Sequence, residues 1–392
     1  MLGVALLIRA WERKNEAVPG VRAPGSSPGG PGISLPGLGS STEPAPIFIV
    51  GNGRSGTTLL QNLISAHPNI YITHELGFYG FESACPKSWS TERFLRAYFE
   101  TISFRWLRLD AQKILDALPE DLPRENATLA FREIMKQKAA AFGRSRYGDK
   151  SPPNINSLPR LFKEFPNARV IVCVRDPRTN ATSVVEMPWG SNKDLANCLI
   201  YEGSHRKLLQ YQDQLLVVRL EDLTRDVKGQ MKRVLDFVGE PWDDAVLDHS
   251  ANDPDPDRVH PLPWLIMSNS TVGPQSTRRA PLSNVRLKVV ETLCARSMQQ
   301  FGYPPSKESD MAGAAEAAVE IVKEIPETVR YVYALARLGV YLTNPDHWVW
   351  EDEGARKLFK KVNPDCWPKV YPDFEPPQVP PVFYGTPGEQ NS

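Results

Sequence analysis

The chain has 392 residues, and its 46 basic and 46 acidic side chains leave no formal net charge. That balance supplies no overall field for nucleic acid or an anionic membrane surface. Five scattered cysteines (Cys85, Cys173, Cys198, Cys294, Cys366) show no C-x-x-C spacing, which argues against a zinc site or a disulfide framework and for a reducing compartment.

The longest N-terminal apolar stretch, Val4 to Ile8, is far shorter than the ~20 residues of a membrane helix. A soluble, cytoplasmic protein with no integral membrane contact is the expectation. Residues 15 to 46 are crowded with Gly, Pro and Ser, so residues 1–45 are expected to be disordered and the folded domain to begin near Pro46. There the apolar run Ile47 to Val50 reads as a strand. It feeds Gly51-Asn52-Gly53-Arg54-Ser55-Gly56-Thr57-Thr58, followed by a helix to about Ala66. A strand, a glycine turn and a helix aim backbone N–H groups and the helix dipole at one point, which suits an anion. In the nucleoside triphosphate version, G-x-x-x-x-G-K-[ST], Lys meets the terminal phosphates and the hydroxyl meets Mg²⁺. Here Thr57 takes the place of that Lys, and Arg54 supplies positive charge from inside the loop. The expected ligand is a phosphorylated nucleotide handled without metal.

Downstream the chain alternates. A short strand spans Ile70 to Thr73, and helical stretches cover roughly 91 to 117 and 128 to 142. Arg169 to Val174 and Leu215 to Leu220 read as buried strands, and a helix from Leu223 to Val238 ends at Gly239. Such alternation predicts a three-layer α/β/α domain with a central parallel sheet. A loop dense in Asp and Pro (Asp253 to Asp257) precedes a helix from about Ser283 to Phe301. Beyond it, Met311 to Leu342 is helical in composition but interrupted at Pro326, and a Pro-rich tail follows Asn344. The expected division is a domain over 46–305 and a helical extension with tail over 306–392. Asn-x-[Ser/Thr] sequons at Asn126, Asn180 and Asn269 read as chance occurrences.

A second basic signal, Arg175-Asp176-Pro177-Arg178, follows a buried strand, with Ser183 eight residues after Arg175. An Arg at the carboxyl end of a parallel strand faces the crevice where ligands bind, and its fork suits a phosphate. With these residues the sequence resembles the sulfotransferase family, whose donor is 3′-phosphoadenylyl sulfate. The likeness leans toward the protein tyrosine sulfotransferases and the bacterial enzymes related to them. Gly53, Arg54, Ser55, Gly56, Thr57, Thr58 and Leu59 resemble the family's site for the 5′-phosphosulfate, and Arg175 with Ser183 its site for the 3′-phosphate. Ala66-His67-Pro68-Asn69 leads to Glu75, twenty-one residues after Arg54, and in those relatives a Glu at that distance is the catalytic base. Gly148-Asp149-Lys150-Ser151-Pro152 looks like the family's Lys-bearing loop. Val218 to Leu223 looks like its third sheet segment, with Leu220 where many relatives have Tyr. Residues 270 to 279 loosely resemble the C-terminal nucleotide loop, in which Arg278 or Arg279 would close over the 3′-phosphate.

The resemblance implies metal-free, in-line transfer of a sulfuryl group to a hydroxyl or amine, leaving 3′-phosphoadenosine 5′-phosphate. Glu75 would take the acceptor proton, and Arg54 with Lys150 would stabilise charge on the bridging oxygen. The acceptor is expected to be a small molecule, a carbohydrate or a peptide. Phe78, Tyr79, Phe81, Trp89, Trp106 and Trp189 are expected to wall its pocket. Alternatives are a P-loop phosphotransferase using ATP and Mg²⁺, a nucleotide-binding protein without catalysis, and His74 in place of Glu75 as base.

Overall fold

The computed structural model describes residues 44–187, 189–255, 282–341 and 381–385. Its sheet is built from β1 (Ile47–Gly51), β2 (Ile70–Thr73), β3 (Arg146–Lys150), β4 (Arg169–Val174) and β5 (Leu215–Arg219). The order is β2-β3-β1-β4-β5, every pairing parallel. In chain order the helices are α1 (Thr57–Ser65), α2 (Phe78–Ala84), α3 (Thr91–Phe99), α4 (Ile102–Arg105), α5 (Ala111–Asp116), α6 (Thr128–Ala140) and α7 (Leu158–Glu164). They continue with α8 (Pro177–Val185), α9 (Asp194–His205), α10 (Leu220–Arg225), α11 (Val227–Val238), α12 (Asn284–Leu293), α13 (Ala295–Phe301) and α14 (Ala314–Tyr341).

Alternation along the central strands separates two apolar layers. Phe48, Val50, Val170 and Val172 face one cluster with Phe78, Phe94, Phe131 and Leu161. Ile47, Ile49, Ile171 and Cys173 face the other, with Leu60, Leu63 and Ile64 of α1 and Met231, Val234 and Leu235 of α11. Side chains that point alternately to opposite faces require cover on both, which gives the expected three-layer α/β/α sandwich. β1 lies between β3 and β4: the chain leaves it toward β2 on one side, and only after β3 does it cross to β4 on the other. Its carboxyl end therefore borders the switch point where open parallel sheets bind ligands.

Several expected helices are divided by local chemistry. The stretch 91 to 117 breaks into α3, α4 and α5. Arg108 is left-handed (φ 51°), and the Asp110 side chain opens α5 by accepting from the amides of Gln112 and Lys113. The helix expected from Leu223 to Val238 breaks at Asp226, which caps α11 by accepting from Gly229 N. The one expected from Ser283 breaks at Cys294. Pro326, by contrast, does not interrupt α14. Both halves of that helix are held by one face, since Ala317, Glu324, Thr328 and Tyr331 are all buried. Glu324 Oε2 accepts from Leu195 N (2.7 Å) and Tyr331 OH donates to Trp189 O (2.7 Å), so tertiary contacts outweigh the lost helix bond. Among the described residues no helix is long and apolar enough to cross a membrane. The expectations for residues 1–43, for most of the tail, and for Arg278 and Arg279 fall outside the described residues.

Candidate active site

The residues singled out from sequence gather at the carboxyl edge of the sheet. β1 ends at Gly51, and the turn that follows reaches α1 through Gly56, which is left-handed (φ 87°) and caps the helix without a side-chain oxygen. The first amides of α1 thus keep their orientation toward an incoming anion. A Cβ at Gly56 would fall 2.6 Å from Leu220 Cδ1, so Leu220 packs against the loop.

Two asparagines pin this loop. Asn180 on α8 is buried and donates Nδ2 to Gly53 O (2.8 Å) and to Ser55 Oγ (3.4 Å), while its Oδ1 accepts from Asn52 Nδ2 (3.1 Å). This network was missed in the sequence, where Asn180 registers only as a sequon; its burial leaves no room for a glycan. Asn180→Ala would leave buried Asn52 Nδ2 and part-buried Gly53 O without this partner. It is expected to lower unfolding stability by about 1–3 kcal/mol in a urea titration. An unchanged midpoint would show that the network does not hold the loop.

Both basic signals meet at the loop. Arg54 itself is left-handed (φ 67°); its Nε donates to Ser183 Oγ (3.2 Å), and its carbonyl accepts from Arg175 Nη1 (3.1 Å). Arg175 is buried, and its own carbonyl accepts from Tyr201 OH (2.5 Å). Two guanidinium groups and a hydroxyl 129 residues from Arg54 in sequence therefore converge on one crevice between β1 and β4. Such convergence of like charge suits an anion with more than one phosphate-like group. Arg178 is committed elsewhere. It pairs with Asp176 (2.6 Å) and Glu291 (2.9 Å), which push its guanidinium above its ordinary range, and Asp176 caps α8 by accepting from Arg178 N.

On the other side of β1, Lys150 ends β3, and Glu75 follows β2. Lys150 was expected on a loop; it stands on a strand, paired with Ile49 of β1. Its side chain is 1% exposed and its Nζ donates to Glu75 Oε1 (2.9 Å), whereas the Glu75 side chain is 40% exposed. The ammonium is thus held in the interior by a carboxylate that solvent and ligands can reach. His74 is buried beside it. Asp149 is fully buried, and burial pushes its carboxyl up to about 7 against the opposing pull of hydrogen bonds from Ser151 and Leu76 and of the Lys150 charge.

The expected apolar walls are only partly walls. Phe78, Tyr79 and Phe81 are core residues, with Phe78 stacked on Phe131 (centroids 4.9 Å apart, planes 3°), because α2 turns them inward against α6. Trp89 is partly buried against the same core. Trp189 does line the site: its ring tip lies 2.5 Å from where a Cβ on Gly53 would stand.

A model of the sulfotransferase family matches residues 46–244, half of the chain. Protein-tyrosine sulfotransferase 1 of Danio rerio is 30% identical over 229 residues, covering 56% of this chain and 60% of that protein. Protein-tyrosine sulfotransferase A of Caenorhabditis elegans is 27% identical over 214 residues, 52% of each chain. The chain spans little more than half the length of these curated relatives. Among solved structures, the sulfotransferase domain from the Synechococcus PCC 7002 olefin synthase is 20% identical, with 67% of this chain and 96% of that one covered and a TM-score of 0.49. The family match begins one residue before β1 and runs past β5, so it takes in the glycine loop, Glu75, Lys150, Arg175 and Ser183, and the chain belongs to the sulfotransferase family.

Proposed function

We propose that this chain transfers a sulfuryl group from 3′-phosphoadenylyl sulfate to a hydroxyl or amine by in-line attack, releasing 3′-phosphoadenosine 5′-phosphate. The observation that carries the reading is the meeting of Arg54 with Arg175 and Ser183 across the phosphate loop. Loop amides and Arg54 are assigned to the 5′-phosphosulfate, Arg175 and Ser183 to the 3′-phosphate. Gly53, Ser55, Gly56, Thr57, Thr58 and Leu59 shape the cradle.

Sulfuryl transfer needs a proton removed from the acceptor while negative charge grows on the oxygen between sulfur and the leaving phosphate. Glu75, the exposed member of the ion pair, is assigned the proton; Lys150 and Arg54 are assigned the charge. A sulfuryl group carries less negative charge than a terminal phosphoryl group, so side chains suffice where phosphoryl transfer recruits a metal. Curated relatives are named for protein tyrosine, which supports a peptide hydroxyl as one acceptor beside small molecules and carbohydrates. The catalytic unit is assigned to residues 46–305, with 306–392 as an extension, and a cytoplasmic location is part of the same reading.

Thermal unfolding separates this reading from a phosphotransferase. 3′-Phosphoadenosine 5′-phosphate at ~100 times its dissociation constant is expected to stabilise the protein by ~2.7 kcal/mol, without added metal. Stabilisation by ATP with Mg²⁺ and none by the bisphosphate overturns the proposal.

A further inference from the structure

The segment carrying Glu75 is a short connection between β2 and α2, yet it is strapped at nearly every residue. Thr73 Oγ1 shares its one proton between Gly148 O (3.0 Å) and Asp149 Oδ1 (3.4 Å). Leu76 is held on both backbone groups: its N–H donates to Asp149 Oδ1 (3.2 Å), and its carbonyl accepts from Tyr98 OH (2.9 Å). Gly77 N donates to Ser151 Oγ (3.3 Å), and that hydroxyl donates in turn to Asp149 Oδ1 (3.1 Å). Asn154 Nδ2 completes the set on Asp149 Oδ2 (3.1 Å). A single carboxylate with no solvent exposure thus gathers donors from both sides of Glu75 and from the turn that follows Lys150.

From this geometry we infer that Asp149 is a positioning residue: it sets the 73–77 turn so that the Glu75 carboxylate is presented at the Lys150 ammonium. The inference rests on the proposed role of Glu75. In this arrangement Thr73, Leu76, Ser151 and Asn154 all turn a donor toward Asp149, and an ionised carboxylate with two oxygens meets them without any of them reorienting. Isosteric Asn supplies one oxygen and cannot hold the set as it stands. Its amide N–H₂ meets a donor-only group at Leu76 N on one side, and on the other it forces the Asn154 amide to turn its oxygen inward. The turn then loosens without loss of volume, and displacement of a reacting group by about 1 Å costs on the order of a hundredfold.

The test compares wild type, Asp149→Asn, Ser151→Ala, Glu75→Gln and the Asp149→Asn/Glu75→Gln double variant in the full chain, at about pH 8.5, above the value of about 7 to which burial raises the Asp149 carboxyl. Asp149→Asn is expected to lower kcat by roughly ten- to a hundredfold while KM for the donor stays unchanged. Hydrogen exchange at the Leu76 amide should accelerate in the same protein, a readout that needs no activity. In the Glu75→Gln background the Asp149 substitution should add little, because it acts through the residue already removed. Ser151→Ala, which deletes one donor and one acceptor of the strap, should move both readouts in the same direction. Unchanged exchange at Leu76, an unaltered kcat, or fully additive rate losses overturn the inference. Failure of the base assignment itself shows separately, as an undiminished rate in Glu75→Gln alone.

Discussion

Glu75→Gln is expected to slow sulfuryl transfer by about 10² to 10⁴-fold, the range lost with a general base, while leaving affinity for 3′-phosphoadenosine 5′-phosphate within about twofold. The variant is chosen because Gln keeps an oxygen for the Lys150 ammonium. That ammonium is 1% exposed and donates to Glu75 at 2.9 Å. Alanine would leave a buried charge without that carboxylate and add a folding defect that obscures the rate, since breaking a buried pair by removing one partner is strongly destabilising. With Gln the ion pair becomes a charge–dipole hydrogen bond, the fold survives, and the carboxylate that could accept a proton is gone. Donor binding is expected to be spared because the groups assigned to the phosphates lie on the other side of β3, at β1 and β4. Neighbouring strands are about 4.8 Å apart, so β2 and its following turn stand roughly 10 Å from the loop strand. A rate within twofold of wild type would move the base to another group, and buried His74 would be the first to replace.

Half of this arrangement is legible in the sequence, and the reason differs by residue. β5, at the edge of the sheet, carries an apolar run although only Val218 of it is buried, whereas β1 and β4 announce themselves because strands covered on both faces need apolar side chains at nearly every position. β3 is equally buried but reads Arg-Tyr-Gly-Asp-Lys, and nothing in its periodicity marks a strand. Its polar groups are tolerated because each is met: Arg146 by Glu240 (2.6 Å) and by the carbonyls of Ala45 and Val238, Asp149 by its four donors, Lys150 by Glu75. Those partners lie 73 to 101 residues away for all but the local contacts of Asp149, so local pattern cannot disclose them. The same holds for the loop. Glycine spacing reveals the turn itself, but its attachment by Asn180 depends on contact across 127 residues. Helix boundaries failed for a third reason, since Asp110 and Asp226 act as caps only once the chain around them has turned.

Lys150→Met carries the other large expected effect, a fall in kcat of about 10² to 10³-fold, comparable to the loss of one preorganised donor at a developing oxyanion. Unlike removal of Glu75, this change leaves no buried cation without its partner, and what Asp149 loses is one of several opposing pulls, since its hydrogen bonds remain. Met fills the volume of the buried stem, and the Glu75 side chain, 40% exposed, can be hydrated. Stability should therefore fall little, and a burying site that loses a charge can even gain. The ground-state donor already carries its phosphate charges, which are assigned to Arg54 and Arg175, so affinity for 3′-phosphoadenosine 5′-phosphate should change much less than kcat. Only an interaction that strengthens in the transition state lowers the barrier, and the charge that Lys150 is assigned appears on the bridging oxygen as the bond to sulfur breaks. Single-turnover transfer measured beside equilibrium binding of the bisphosphate makes the distinction. A loss confined to binding would place Lys150 among the groups that grip the nucleotide, and equal losses in rate and affinity would mean that its charge is felt before the bond begins to break.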